Sequence, residues 1–255
     1  MTTRIIAVLF LGTLLFTPNL VAQDSPSIAF GIYYRCDQAQ EARADEIVEQ
    51  VLVPIYDKQL AAGRISAYGW AAHVMGGAWR RLAYMIGSDV GVMMDARAAI
   101  IEDLGTNHAS ALRELTSICP SHDDYIWSTV AASQPSEQLG QDRASAGMST
   151  YYTCNIARED RADEIVQEVL GPEIQKHIDL GHLNSWSWIR HEVGGRFRRA
   201  LVIDAADHKT ILTMRGAIIS ALQQNSADEM AEFSEICGGH TDYLWDLMIA
   251  KPESM

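Results

Sequence analysis

Positive charge and long apolar runs are scarce in this sequence. Its 255 residues include 20 lysines and arginines against 33 aspartates and glutamates, which gives a formal net charge of −13. Such an acidic surface repels phosphate backbones, so we expect no nucleic-acid partner. The sequence also lacks a Ser-His-Asp motif, a phosphate-binding glycine-rich loop, a His-Glu-x-x-His site and a Cys-x-x-Cys-His haem attachment site. From these absences we expect neither a metal site nor a cofactor.

The longest apolar run lies at the start of the chain and is short. Arg4 precedes an apolar run from Ile5 to Phe16, Pro18-Asn19 interrupts it, and Ala22 is a small residue suited to cleavage. A bilayer span needs roughly 20 apolar residues, which this run does not reach. We therefore predict that residues 1–22 are an export signal and that the mature protein is periplasmic or secreted, without a stable membrane span. An uncleaved interfacial anchor is the alternative.

The rest of the sequence contains one pattern twice. Tyr33-Tyr34-Arg35-Cys36 returns as Tyr151-Tyr152-Thr153-Cys154, and the match continues without a gap to Trp127 and Trp245, always 118 positions apart. Two copies kept in one register predict two units of one fold.

We place the boundaries of the two units by this register. The first unit is predicted at residues 28–130 and the second at residues 148–250. Residues 131–147, rich in serine, glutamine, glycine and alanine, are predicted to form the linker between them. A linker of this length allows the units to dock on each other. We therefore expect a monomer with an internal pseudo-two-fold axis.

The cysteines follow the repeat. Within each unit the two cysteines stand 83 positions apart, in this order: Cys36 and Cys119, then Cys154 and Cys237. An even number of cysteines with matched spacing in an exported chain predicts disulfides, and pairing within each unit lets each unit fold alone. The alternative is a metal bound by the two Cys-x-x-His sequences that end at His122 and His240, although neither unit offers a second such pair.

Each copy predicts the order strand, helix, hairpin, helix, strand. Ile28 to Arg35 is rich in β-branched and aromatic residues, and Ala39 to Ala62 has apolar residues at helical spacing, with a kink expected at Pro54. After the hairpin, Val92 to Leu104 is predicted to be a helix, followed by a shorter helical piece, and His122 to Trp127 is predicted to be the last strand. This order is the ferredoxin-like βαββαβ arrangement, so the expected fold class is α+β.

The predicted hairpin is centred on Gly76-Gly77, since glycine pairs favour the positive φ angles of two-residue turns. Counting outward pairs His73 with Arg80. Because side chains alternate, the hairpin has a bulky face, with Trp70 and Trp79, predicted to pack on helices, and a face where His73 and Arg80 stand beside small residues. The second copy repeats this pattern at Gly194-Gly195, Trp188, Phe197, His191 and Arg198.

These features resemble the α+β-barrel superfamily, which includes the stress-responsive A/B-barrel, NIPSNAP and EthD-like domains. The resemblance is carried by the proline-containing first helix that ends at Gly63 or Gly181, the tryptophan-rich strand with His73 or His191, the Gly-Gly turn and the arginine-rich return strand. In that superfamily two units press their sheets together into a barrel, often around a pocket. Members include cofactor-independent enzymes, haem enzymes and simple binders. The resemblance implies an intramolecular pseudo-dimeric barrel here.

The candidate ligand site is the less bulky hairpin face. An arginine next to a histidine disfavours the imidazolium, so His73 beside Arg80 and His191 beside Arg198 are expected to be neutral and able to accept a proton. The arginines can bind a carboxylate. Arg196 adds a cation on the second copy only, which predicts the stronger anion site there.

Other interpretations of these residues stay open. The histidine–arginine pairs can instead satisfy buried carboxylates such as Asp45 or Glu46 and brace the barrel. Tyr34 and Tyr152 end the first strand of each copy and could reach into a barrel as proton donors, which makes them further catalytic candidates with His73 and His191. The repeated tryptophans are predicted to be core residues.

Three classes of function are compatible with these residues. The first is an exported, soluble binder of a small, partly apolar and anionic molecule in a barrel cavity. The second is a cofactor-independent lyase, isomerase or monooxygenase with a histidine base. The third is a structural or assembly module without a small ligand. A closed cavity around His73 or His191 would separate the first two classes from the third.

Overall fold

The computed structural model of the protein describes residues 27–134 and 144–251, and these residues form a mixed α+β fold. The predicted export signal, residues 1–22, lies outside the described residues, as do positions 135–143 of the predicted linker. We refer to residues 27–134 as the first half and to residues 144–251 as the second half.

Each half contains four strands and two pairs of helices in the predicted order. The strands are β1 (Ile28–Arg35), β2 (Ala67–Gly76), β3 (Arg81–Gly87), β4 (Ser121–Ala132), β5 (Ala146–Thr153), β6 (Ser185–Val193), β7 (Arg199–Ala205) and β8 (Gly239–Lys251). The helices are α1 (Glu41–Ile47), α2 (Val53–Ala61), α3 (Val90–Asn107), α4 (Ala109–Ile118), α5 (Glu159–Ile165), α6 (Gly171–Asp179), α7 (His208–Asn225) and α8 (Ala227–Ile236). None of these helices is long and apolar enough to cross a membrane.

The eight strands close into one antiparallel barrel, in the order β1-β3-β2-β8-β5-β7-β6-β4. Within each half the strands pair as the ferredoxin-like order predicts, with the first strand between the third and the fourth. The halves join at two seams, where β2 pairs with β8 and β4 pairs with β6. The predicted α+β barrel is confirmed at this level.

The seams also explain why the predicted linker is too long at both ends. β4 continues past the predicted end at Trp127 to Ala132, because Ala132 pairs with Ser187 of β6. β5 already begins at Ala146, which pairs with Asp246 of β8. Small polar residues favour a loop when local composition alone is considered, but here the partner strand of the other half supplies the hydrogen bonds.

The expected kink at Pro54 takes the form of a wide helical turn. A π-helical segment, Val48–Leu52, connects α1 to α2, and Pro54 lies in the first turn of α2. Proline cannot donate a helical hydrogen bond, and the wider π-helical turn lies directly before it. The second half repeats this arrangement with Val166–Leu170 before α6.

Both predicted disulfides form. Cys36 at the end of β1 bonds to Cys119 at the end of α4, and Cys154 bonds to Cys237 in the same places of the second half. Each bond therefore links the first strand of a half to the start of its last strand. Since all four sulfurs are in disulfides, no thiolate is left for the alternative Cys-x-x-His metal site.

The glycine pairs stand where each hairpin meets the other half. Only the first glycine of each pair, Gly76 or Gly194, has a positive φ, of 115° and 137° respectively. A Cβ on Gly77 would overlap the hydroxyl of Tyr243. That hydroxyl accepts the amide of Ala78 at 3.0 Å. The pair is thus required mainly for this close approach, and less for the two-residue turn that we expected.

The core has three parts. Two outer parts lie between the barrel and the helices of each half and contain Trp70 and Trp188, both at most 2% exposed. The third part lies inside the barrel. We call it the interior aromatic cluster, and its rings are Tyr33, Trp79, Tyr125, Trp127, Tyr151, Phe197, Tyr243 and Trp245. Trp79 and Phe197 were expected to pack on helices. They lie inside because they precede β3 and β7, where strand alternation does not hold.

Candidate functional site

The predicted histidine–arginine pair of the first half forms, but it binds a helix carboxylate. The amide of His73 donates to the carbonyl of Arg80 at 3.0 Å, which confirms the predicted register. Arg80 donates from Nη1 to His73 Nδ1 at 2.6 Å and from Nε to Glu41 Oε1 at 2.6 Å. Burial, followed by the charge of Arg80, lowers the pKa of His73, as expected for a neutral imidazole.

The second half repeats these contacts within a buried ionic network. Arg198 donates to His191 Nδ1 at 2.8 Å and to Glu159 Oε1 at 2.6 Å. The next residue, Arg199, is 3% exposed and donates to Glu159 at 2.9 Å and to Asp163 at 2.7 Å. Burial acts to raise the pKa of Glu159, but its hydrogen bonds and ion pairs with the two arginines lower it overall. These ion pairs therefore hold α5 against the hairpin of β6 and β7.

These contacts are those of the alternative interpretation, in which the pairs satisfy carboxylates. None of His73, Arg80, His191 and Arg198 is among the residues that line the barrel cavity, so the expectation that they face it is corrected. They lie near the hairpin ends, where the acidic side chains of α1 and α5 are within reach.

Arg196 is separate from these pairs. It lies at one end of the barrel, with its guanidinium 4.9 Å from the centre of the Phe197 ring. There it borders a depression of about 390 Å³ together with Arg35 and Asp123, which form an ion pair at 2.5 Å. Arg196 does not line the cavity inside the barrel.

Tyr34 and Tyr152 point away from the barrel interior, contrary to our expectation. The ring of Tyr34 lies 5.7 Å from that of Trp70 in the outer core, and Tyr152 packs in the equivalent place of the second half. Because side chains alternate along a strand, the preceding residues point inward. Tyr33 and Tyr151 are therefore the tyrosines inside the barrel.

A cavity of about 270 Å³ lies inside the barrel beside the interior aromatic cluster. Residues from all eight strands line it, and most of its wall is apolar or aromatic. The polar side chains on its wall, apart from the tyrosines, are Ser27, Thr129, Ser149, Ser185, Ser187 and Asp204. An apolar wall with a few polar groups is the usual composition of a small-molecule site.

The two halves contribute unequally to this cavity. In the first half the Tyr84 ring lies directly over Gly69, where a Cβ would overlap it. The positions 118 residues later are Ser187 and Val202, which are paired in the same way on β6 and β7. Valine is smaller than tyrosine, so open volume remains on the side of the second half.

Asp204 is the one carboxyl group on the cavity wall within the described residues. Ser185 Oγ donates to its Oδ2 at 2.9 Å, and a Cβ on Gly147 would lie 3.2 Å from its Oδ1. Burial raises the pKa of Asp204 to about 6, while the hydrogen bond from Ser185 acts in the opposite direction. The equivalent first-half positions are Ile86 and Ala67, so this polar group has no counterpart there.

A hydrogen-bond donor of a residue on the cavity wall has no partner among the described residues. Trp127 donates from Nε1 to the Tyr33 hydroxyl at 3.2 Å, and Tyr151 donates to the same hydroxyl at 3.2 Å. The equivalent Trp245 is 1% exposed, yet its Nε1 has no hydrogen-bond partner within residues 27–134 and 144–251. Burial raises the pKa of both tyrosines, so they stay protonated at neutral pH. A buried, unpaired N–H is costly, so this donor would gain from an acceptor brought near it.

Our sequence interpretation missed Asp204 and the inward-facing role of Trp245. A signal for Asp204 exists in the repeat itself. Asp204 occupies an apolar strand at the position where the first copy has Ile86. A charged residue in one copy of an otherwise shared apolar pattern indicates a role other than packing, because burying a carboxyl is unfavourable.

Comparisons with known proteins show the fold alone. No protein-family model matches this chain, and no curated protein matches it. An anthrone oxidase-like protein is similar in structure, with a TM-score of 0.57 and 9% identity, over 90% of this chain and 94% of that one. A proposed monooxygenase from Lactobacillus acidophilus NCFM has a TM-score of 0.58 and 8% identity, over 90% and 97% of the two chains.

A third solved structure is also similar to this chain. A mutant chlorite dismutase from Candidatus Nitrospira defluvii, in complex with cyanide, has a TM-score of 0.54 and 9% identity, over 88% of this chain and 91% of that one. These similarities show a shared fold, and identities this low carry no assignment of family or activity.

Proposed function

We propose that the protein binds a small, neutral, mainly apolar ring compound in the barrel cavity. The observation that carries this proposal is an apolar cavity of about 270 Å³ lined by an acceptor, Asp204, and by Trp245, whose Nε1 has no hydrogen-bond partner in the part of the chain that the structure describes. Ligand pockets commonly have volumes of about 300–1,000 Å³, so this cavity suits one or two fused rings.

The charge of the ligand follows from the groups on the wall. An anion would lie near the carboxyl of Asp204 in a site of low dielectric, where like charges repel strongly. A hydroxyl can instead donate to Asp204, and a carbonyl can accept from Trp245. We therefore propose a neutral ligand in place of the anionic one expected from the histidine–arginine pairs.

Calorimetric titration with 2-naphthol tests binding. The double substitution Val202→Tyr with Ser187→Gly copies the first-half arrangement of Tyr84 over Gly69 and should fill the cavity. Val193→Tyr adds the same ring at a side chain that is 61% exposed, and serves as the control. We expect one saturable site in the wild type and the control, and affinity at least about tenfold weaker in the filled variant. Equal binding by all three proteins would exclude the cavity as the site.

A charged analogue tests the second part of the proposal. The 2-naphthoate anion has nearly the same shape as 2-naphthol but places a carboxylate in the cavity. We expect it to bind at least about tenfold more weakly at neutral pH, because like charges repel in a site of low dielectric. Tighter binding of the anion would restore the anionic ligand expected from the sequence.

The comparisons support an enzyme-like alternative at the level of the fold. The anthrone oxidase-like protein and the proposed monooxygenase share the barrel. The catalytic histidine that we expected is absent from the cavity wall. A catalytic role therefore requires a different base.

We also propose that the chain is exported and that its halves form an intramolecular pseudo-dimer. Two disulfides support export, because such bonds persist in oxidising compartments. The pseudo-dimer is supported by the equal order of elements in the halves and by the contact between Tyr33 and Tyr151, which are 118 residues apart. Peptide mapping of the mature N-terminus and solution scattering test these two points; an intact leader or a dimeric particle would contradict them.

A further inference from the structure

One carboxyl oxygen of Asp204, a residue on the cavity wall, makes no hydrogen bond within the described residues. Oδ2 of Asp204 accepts the hydrogen bond from Ser185, whereas Oδ1 has no hydrogen-bond partner in the part of the chain that the structure describes. Gly147 faces Oδ1 and leaves space there, because its missing Cβ would lie only 3.2 Å away. One oxygen is thus fixed, and the other is open to a bound molecule.

We propose that Asp204 is a catalytic proton acceptor, which removes a proton from an acidic C–H or O–H of the molecule bound in the cavity. This inference rests on the proposed binding function and deepens it. In the step, the bond to hydrogen breaks, the proton moves to Asp204 Oδ1, and the electron pair stays on the substrate. Return of the proton to another atom of the substrate gives a net isomerisation that needs no oxidant or reductant.

The surroundings of Asp204 favour this role. An apolar wall solvates a carboxylate poorly and makes it a stronger base, and burial raises the pKa of Asp204 to about 6, within the range suited to a base at neutral pH. The residues that pair with Asp204 on the neighbouring strands, Gly147 and Ser185, do not titrate. The titratable side chains that share the cavity are Tyr33, Tyr84 and Tyr151.

The unpartnered indole N–H supplies the complementary group. When a proton leaves a carbon next to a carbonyl, negative charge develops on the carbonyl oxygen. A hydrogen-bond donor that is already in place stabilises this charge, since no solvent has to reorganise. Trp245 lines the same cavity, and its Nε1 has no partner within residues 27–134 and 144–251, so substrates with a carbonyl next to an acidic C–H that reaches this donor fit the site best.

The elimination reaction of 5-nitrobenzisoxazole tests a carboxylate base without knowledge of the natural substrate. A base removes the ring C–H next to nitrogen, the N–O bond breaks, and a coloured nitrophenolate with a nitrile group forms. The electrons of the broken C–H bond form the nitrile, and those of the N–O bond stay on oxygen. No cofactor takes part.

We expect saturable elimination above the buffer rate, with a kcat that rises with pH around a midpoint near 6, as the pKa of Asp204 predicts. Asp204→Asn keeps the shape of the side chain and should lose at least about 100-fold in kcat. Asp160→Asn, at an exposed position of α5, should leave the rate unchanged. Ser185→Ala should move the midpoint to higher pH, because its hydrogen bond lowers the pKa of Asp204.

Binding measurements separate the failure of this inference from the failure of the proposed function. Competition between 2-naphthol and 5-nitrobenzisoxazole shows whether the probe occupies the cavity. If both compounds bind but Asp204→Asn retains the wild-type rate, or the wild type gives no elimination, Asp204 is not the base and the binding function stands. If neither compound binds to the wild type, both proposals fail.

Discussion

Replacing Asp204 with asparagine is expected to stabilise the protein at alkaline pH and to change its stability little in acid. Burial raises the pKa of Asp204 from 3.8 to about 6 in the folded protein, whereas the unfolded chain exposes this carboxyl to water. A group with a raised folded-state pKa stabilises the fold below its unfolded pKa, and this stability is lost as the pH rises through the folded value. The difference between the two pKa values corresponds to about 3 kcal/mol in the free energy of unfolding, since one pKa unit is worth about 1.4 kcal/mol.

Asparagine removes the ionisation and keeps the contact with Ser185. The free energy of unfolding of Asp204→Asn should therefore exceed that of the wild type by about 3 kcal/mol near pH 8, and by less than about 1 kcal/mol near pH 4. Urea denaturation followed by tryptophan fluorescence at a series of pH values measures both. Arginine partners lower the pKa values of Glu41 and Glu159. The stability linked to these groups is lost in acid in both proteins alike and cancels in the difference.

The exposed Asp160→Asn substitution controls for the loss of one surface charge, and it should follow the wild type at every pH. A difference between Asp204→Asn and the wild type that stays constant across this pH range would refute the reasoning. It would show that Asp204 ionises as easily in the folded protein as in the unfolded chain.

Three further changes test the contacts that hold the barrel together. Asp163→Ala leaves a buried arginine and an indole N–H without their shared acceptor and should lower the free energy of unfolding by about 3–5 kcal/mol. The exposed Glu164→Ala should cost at most about 1 kcal/mol in the same urea denaturation, and equal losses would contradict a role for burial. Tyr243→Phe removes the acceptor of two amides in the opposite hairpin, so their hydrogen exchange should become at least about tenfold faster; unchanged rates would show that the contact is dispensable. Changing Cys36 and Cys119 together to alanine opens a loop with a sequence separation of 83 and should cost about 4 kcal/mol, which an unchanged urea midpoint would disprove.

Local patterns were sufficient to predict the elements and their pairing within each half. The first strand was predicted with its observed bounds, Ile28–Arg35, and counting from the glycine pair gave the correct partner for His73. Equal cysteine spacing gave the correct disulfides. These features depend on residues close in sequence or on the repeat, so a single sequence contains the information.

The candidate site was harder to predict because it depends on contacts between the halves. β2 carries register irregularities against β8 between Trp70 and Ala71 and again between His73 and Met75. Simple alternation counted from the turn therefore holds for a small residue such as Ala71, which lines the cavity, but not for His73, which does not. The ion pairs of Arg80 and Arg198 with α1 and α5 could be proposed from sequence only as one alternative, since helix and hairpin are distant along the chain.

The two seams of the barrel differ greatly in the length of chain that each one closes. The seam between β4 and β6 pairs Ile126 with Val193 near the middle of the sequence, whereas the seam between β2 and β8 pairs Tyr68 with Lys251, close to the chain end. Longer loops cost more entropy to close, and contacts distant in sequence slow folding. The β2–β8 seam should therefore form last during folding. Because Trp245 and Leu247 of β8 line the cavity, we expect the cavity wall to be complete only once this seam has formed.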